Sequence, residues 1–129
     1  MSANAVPDGY HTVTPYIVVP DAGGLIEFMA KAFGGKERMR MEGENGAITH
    51  AEVEIGDSVI MIASSSGEVP PKSAMLHLYV ADVDATYKDA VEAGGESMRE
   101  PADQKYGDRS AGLKDSWGNE WWLATHIDA

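Results

Sequence analysis

Two stretches of this chain repeat one another. Val18-Val19-Pro20-Asp21 leads into a helical pattern that stops at Gly34-Gly35. Tyr79-Val80-Ala81-Asp82 leads into a second that stops at Gly94-Gly95. Each time an extended run ends at an Asp, whose carboxylate can cap the helix that follows. Each helix then ends at glycine, the residue that enters the left-handed region without steric penalty. So short a string match is weak alone, because Gly-Gly ends many helices. The order of elements around it also repeats, and that points to an internal duplication.

The first half reads as follows. His11 to Val19 mixes β-branched and aromatic residues and predicts a strand. Leu25, Phe28, Met29 and Ala32 recur at helical spacing and predict a helix over 22–33. Strands follow at 36–42, 48–55 and 58–63, joined by turns at Glu44-Asn45-Gly46 and Gly56-Asp57. Residues 64–73 are rich in Ser, Pro and Gly and read as a linker. The second half predicts a strand at 75–80, a helix at 84–93, a strand at 96–99, a loop at 101–107, and strands at 109–115 and 120–126. Residues 1–10 read as a loose tail with no secretory signal.

The expected fold class is therefore α+β. Two βαβββ modules, about 11–63 and 75–127, form a single domain with a curved, mixed, eight-stranded sheet and a cleft on its concave face. Helices cover only one face of such a sheet, so a homodimer is the expected way to finish covering it.

Strand alternation sorts residues between core and cleft. Ile17, Val19, Ala51, Val53, Ile60, Ile62, Leu76, Leu78, Trp121 and Leu123 suit the core. Tyr16, His50, Glu52, Met61, Met75, His77, Tyr79, Trp122 and His126 fall on the cleft side. Aromatic and sulfur side chains with a few polar handles are the usual make-up of a small-molecule pocket.

Composition narrows the function classes. Net charge is −11 and there is no cysteine. The acidity disfavours nucleic acid, which needs clustered Lys and Arg. An acidic cleft would suit a cationic ligand. Without cysteine there is no disulfide, thiolate metal site or cysteine nucleophile, which fits the cytoplasm. No apolar run is long enough to span a membrane. Phosphate-binding, dinucleotide and serine-hydrolase motifs are also missing.

The segments VADVDATYKDAVEAGG, YGDR, DSWGNEWW and ATH, set in the duplicated order, resemble the vicinal oxygen chelate superfamily. It includes glyoxalase I, bleomycin- and fosfomycin-resistance proteins and ring-cleaving dioxygenases, and the nearest resemblance is to its PhnB-like branch. Its enzymes hold one divalent metal, such as Zn, Mn, Fe or Ni, through His and Glu on the first and last strand of each module. Carried over by position, those ligands fall on Thr14, Met61, Met75 and Trp122. A register two residues on puts His77 in place of Met75. Thr, Met and Trp do not hold a catalytic divalent metal, so the resemblance implies the fold without its cofactor.

The sequence therefore predicts a small-molecule binding protein, with no catalytic residue and no metal. The alternative is a metal-dependent lyase, isomerase or dioxygenase, with His50, Glu52 and His77 as the side chains able to build a new site. The predicted ligand-binding residues are Tyr16, His50, Met61, His77, Tyr79, Tyr106, Arg109 and Trp122. Arg109 is included as a partner for an anionic ligand group, or else as a structural pair with Asp108.

Overall fold

The computed structural model describes residues 5–127. The repeat appears as two successive βαβββ units. The first comprises β1 (Tyr16–Val19), α1 (Ala22–Phe33), β2 (Lys36–Glu42), β3 (Ile48–Ile55) and β4 (Ser58–Ser64). The second comprises β5 (Met75–Tyr79), α2 (Val83–Glu92), β6 (Glu96–Asp103), β7 (Asp108–Lys114) and β8 (Glu120–His126). Both Asp caps form: Asp21 accepts from the Gly24 N–H at 2.9 Å and Asp82 from the Ala85 N–H at 3.2 Å. Gly34 closes α1 in the left-handed conformation, with φ of 68°.

Among the described residues, eight strands divide into two four-stranded sheets, ordered β1-β4-β3-β2 and β5-β8-β7-β6, with no ladder joining them. In each, the first strand runs parallel to the last and the remaining pairs are antiparallel. The linker explains why β1 does not continue into β5. Lys72 doubles back on β1 and exchanges both backbone hydrogen bonds with Val18, at 3.2 and 2.9 Å. The free edge of β1 is thereby occupied.

Two element boundaries differ from expectation by more than one residue. β1 begins at Tyr16, and residues 11–15 are not a strand. Pro15 lies at that junction and lacks the N–H a ladder needs. β6 continues through Pro101 to Asp103, where a loop was expected. This is an edge strand with a register shift between Arg99 and Ala102, a setting in which proline is tolerated.

One apolar core serves both units. Ile17, Leu25, Met29, Val53 and Ile62 from the first meet Ala90, Leu113, Trp121 and Leu123 from the second. Helices α1 and α2 pack on each other. Trp121, fully buried, sits with its ring centroid 4.8 Å from that of Phe33 and 6.5 Å from that of Phe28. A β8 side chain thus fills space beneath α1. Among the described residues no helix is long and apolar enough to cross a membrane.

Because Trp121 bridges both units, Trp121→Ala should lower stability by about 3–5 kcal/mol. Denaturant unfolding followed by circular dichroism should show the loss as an earlier single transition. Two separate transitions in the wild-type protein would show that the units do not share a core.

Candidate functional site

Strand pairing sets one cross-strand row on the concave face of each sheet. In the second sheet His77 lies opposite Trp122, Trp122 opposite Gly112, and Gly112 opposite Arg99. In the first sheet the corresponding row is Tyr16, Met61, Glu52 and Met39. The two rows have different environments.

The first sheet's row is closed by the chain's own N-terminal segment. Tyr10 lies against it, its ring 4.9 Å below the Arg38 guanidinium, and its hydroxyl donates to Glu52. The second Glu52 oxygen meets His50 Nε2 at 2.9 Å, and His50 Nδ1 meets the Tyr16 hydroxyl at 3.1 Å. With Nε2–H donating to the carboxylate, Nδ1 accepts from Tyr16. Glu52 is only 4% exposed, and both of its oxygens have a partner within the protein. Tyr10 is therefore no part of a loose tail. Residues 1–4 of that expected tail lie outside the described residues.

The second sheet's row is open. A cavity of about 360 Å³ lies on it, lined by Met75, His77, Arg99, Tyr106, Ser110 and Trp122. Gly112 makes this possible. A Cβ there would lie 2.3 Å from the Trp122 ring, so glycine alone lets the indole lie flat across β7. The indole N–H donates to Glu120 at 3.1 Å and fixes the ring. The Arg99 guanidinium sits 5.0 Å above the ring centroid and donates to the buried Ser110 hydroxyl.

His77, Tyr106 and Trp122 of the predicted residues thus come together. Tyr79 is their neighbour, its ring 4.9 Å from that of His77 and its hydroxyl donating to Asp108 at 2.9 Å. His126 Nδ1 meets the other Asp108 oxygen at 2.9 Å. Tyr16, His50 and Met61 belong to the first sheet and lie apart. Arg109 does not join the site. Alternation turns it to the helix side, where it pairs with Asp84 of α2 at 2.9 Å and with Asp103 at 3.1 Å. The expected Asp108–Arg109 pair fails for the same reason, since successive strand residues face opposite ways.

Arg99, Ser110 and Gly112 were missed. Arg99 lay in the expected strand 96–99, but a register shift between Ser97 and Arg99 breaks its alternation, while Ser110 and Gly112 share the Trp122 face and were identifiable by alternation along β7.

A larger cleft of about 810 Å³ lies between the units, beside β5. It is lined in part by Phe33, Ile55, Leu76, Leu78 and Val80, helix-side residues that remain half-buried.

Residues 10–123 match the family model described as Glyoxalase/Bleomycin resistance protein/Dioxygenase superfamily. The chain belongs to that superfamily. An uncharacterised protein of Mycobacterium bovis is 31% identical, over 98% of this chain and 88% of the relative. TioX of Micromonospora sp. ML1 has the same fold, with a TM-score of 0.76 at 20% identity over 91% of this chain and 99% of TioX. A glyoxalase I mutant of Zea mays aligns with a TM-score of 0.71 at 18% identity, over 88% of this chain and 46% of the maize chain.

The positions that the resemblance matches to the superfamily's metal ligands fall on both modules. Thr14 precedes β1, Met61 lies on the first sheet, and Met75, His77 and Trp122 lie on the second. Among the described residues no three His, Asp or Glu side chains converge.

Electrostatics separate the acidic groups. Burial pushes the Glu52 carboxyl up, but hydrogen bonds from Tyr10 and His50 outweigh it and hold it below its ordinary 4.5. The hydrogen bond from His126 holds Asp108 below its ordinary 3.8, against partial desolvation. A carboxyl with a depressed folded pKa stabilises the fold above its ordinary value, and that contribution is lost as pH falls through the depressed one. Glu52→Gln should cost about 1–3 kcal/mol near neutrality. Its melting-temperature gap from wild type should shrink as pH drops below 4.5. A gap that stays constant down to pH of about 3 would show that ionised Glu52 contributes nothing.

Proposed function

We propose that the protein binds a small organic molecule on the concave face of its second sheet, without a catalytic metal, as a cytoplasmic homodimer. The observation that carries this reading is the open cavity over the His77–Trp122–Gly112–Arg99 row. Its volume lies toward the small end of ligand pockets, roughly 300–1,000 Å³, and it combines aromatic walls with a few polar groups. Tyr106, 66% exposed, stands at its edge ready to be covered by a ligand.

Support for a metal-free site comes from the donors. Thr, Met and Trp at the inherited positions are poor partners for a hard divalent ion. His50 and Glu52, the best carboxylate–imidazole pair, are committed to Tyr10 and Tyr16.

Support for a dimer comes from β5. The terminal bonds of its ladder, Glu120 N–H to Ala74 and Val80 N–H to Ala124, turn Leu76 and Leu78 toward β8. The backbone groups of Met75, His77 and Tyr79 then face outward along an open edge. Beside that edge lies the larger cleft with its half-buried leucines, a surface suited to a second copy. The lack of cysteine suits a reducing compartment.

The test is a thermal-shift screen of a small-molecule library, run with metal analysis and light scattering. A binder should raise the melting temperature, by about 2.7 kcal/mol of stabilisation at 100 times its dissociation constant. The purified protein should be a dimer without a stoichiometric divalent ion. One tightly held ion per chain, lost in His50→Ala or His77→Ala, would replace this reading with the metal-dependent one.

A further inference from the structure

The charge of this chain and the lining of its cavity point in opposite directions. Net charge is −11, which at long range favours a cation. Yet the six residues around the cavity include no Asp or Glu. They include one arginine, and among the described residues Arg99 has no carboxylate partner, whereas Arg40 and Arg109 each have two. In so acidic a protein, a guanidinium left without an acid in a concave site is a place where an anion is missing.

The surroundings say which kind of anion. Arg99 is held by two contacts that leave most of its donors free. Its guanidinium lies over the Trp122 ring and one terminal nitrogen donates to Ser110. A guanidinium carries five N–H donors in a planar fork, and stacking on a ring occupies its face while leaving its edges available. The fork matches the two oxygens of a carboxylate. Its orientation is fixed in advance: Gly112 lets the indole lie flat, Glu120 pins the indole N–H, and buried Ser110 anchors the guanidinium. The remaining wall is formed by His77, Tyr106 and the thioether of Met75. Flat rings and sulfur suit the faces of an aromatic body.

We propose that this cavity receives a planar aromatic carboxylate of one or two rings, with Arg99, seated on Trp122, binding the carboxylate and His77, Tyr106 and Met75 enclosing the ring. The assignment rests on the second sheet being the binding face and adds the chemical class of the ligand. Arg99 sets specificity here: it selects an anion at contact against a repulsive field from the rest of the chain. Binding should accordingly strengthen with added salt at low ionic strength, where that field is screened before the close contact is.

The experiment uses three probes with the same ring: naphthoate, naphthamide and naphthylmethylammonium. Each is titrated calorimetrically into the intact protein. Naphthoate should bind at least about tenfold more tightly than the amide, since a hydrogen bond to a charged group contributes about 1.5–3 kcal/mol. Arg99→Gln should remove that preference, weakening naphthoate at least about tenfold more than it weakens the amide. Arg99→Lys, which keeps the charge but not the fork, should restore only part of it. Circular dichroism melts confirm that both variants are folded. Equal or tighter binding of the amide or the ammonium probe would overturn the proposal, as would naphthoate binding indifferent to Arg99→Gln. If no probe binds but the library screen finds other ligands, the carboxylate assignment fails and the binding function stands. If neither gives a ligand, both fail.

Discussion

Asp115 is the group on which the second sheet is hung. Its buried carboxylate accepts four hydrogen bonds: from the Trp117 and Asn119 backbone N–H groups, the Asn119 side chain, and the Trp121 indole. A buried carboxylate is costly unless its lone pairs are satisfied, and here one turn satisfies them. Asn119 passes the constraint on by accepting from the Ala74 N–H at the entry to β5. Three elements are thereby fixed together: the β7–β8 turn, the parallel β5–β8 pair, and the rotamer of Trp121. Once Trp121 is held in the core, alternation leaves Trp122 only the concave face. Trp117 extends the same turn under α1, close enough that a Cβ on Gly24 would meet its ring at 2.7 Å. The turn therefore also ties the two units to each other.

The repeated element order gives the chain two equivalent concave faces, which differ in their side chains. On the first, a glutamate sits where the second has Gly112, and Tyr10 folds over it to complete a closed polar chain through His50 to Tyr16. On the second, glycine and a flat indole make a floor, and nothing within the described chain closes over it. One face became a stabilising network and the other kept an opening.

Much of this follows from the residues alone. Asp and Gly-Gly mark both helix ends because capping and left-handed closure are local chemistry. Core and cleft faces follow from alternation, which assigned Trp121 and Trp122 correctly to opposite sides. What did not follow depends on register and on contacts distant in sequence. Arg99 escaped because the register shifts between Ser97 and Arg99, a bulge that alternation along the sequence does not show. Arg109 was misplaced because a YGDR loop suggests adjacent partners, whereas strand alternation sends Asp108 to His126 and Arg109 to α2. The role of Tyr10 was hidden because its partner lies 42 residues away.

If ligands occupy the concave face of the second sheet as proposed, over Trp122, the indole N–H groups report it directly. The chain has three tryptophans, each with an indole N–H that nuclear magnetic resonance resolves in labelled protein. The signals can be assigned with single Trp→Phe variants. On titration with naphthoate, or with any compound that raises the melting temperature, the Trp122 indole signal should move saturably while that of buried Trp121 stays still. Saturable binding that leaves Trp122 unmoved and instead shifts amides near Tyr10 and His50 would place the site on the first sheet and contradict the account.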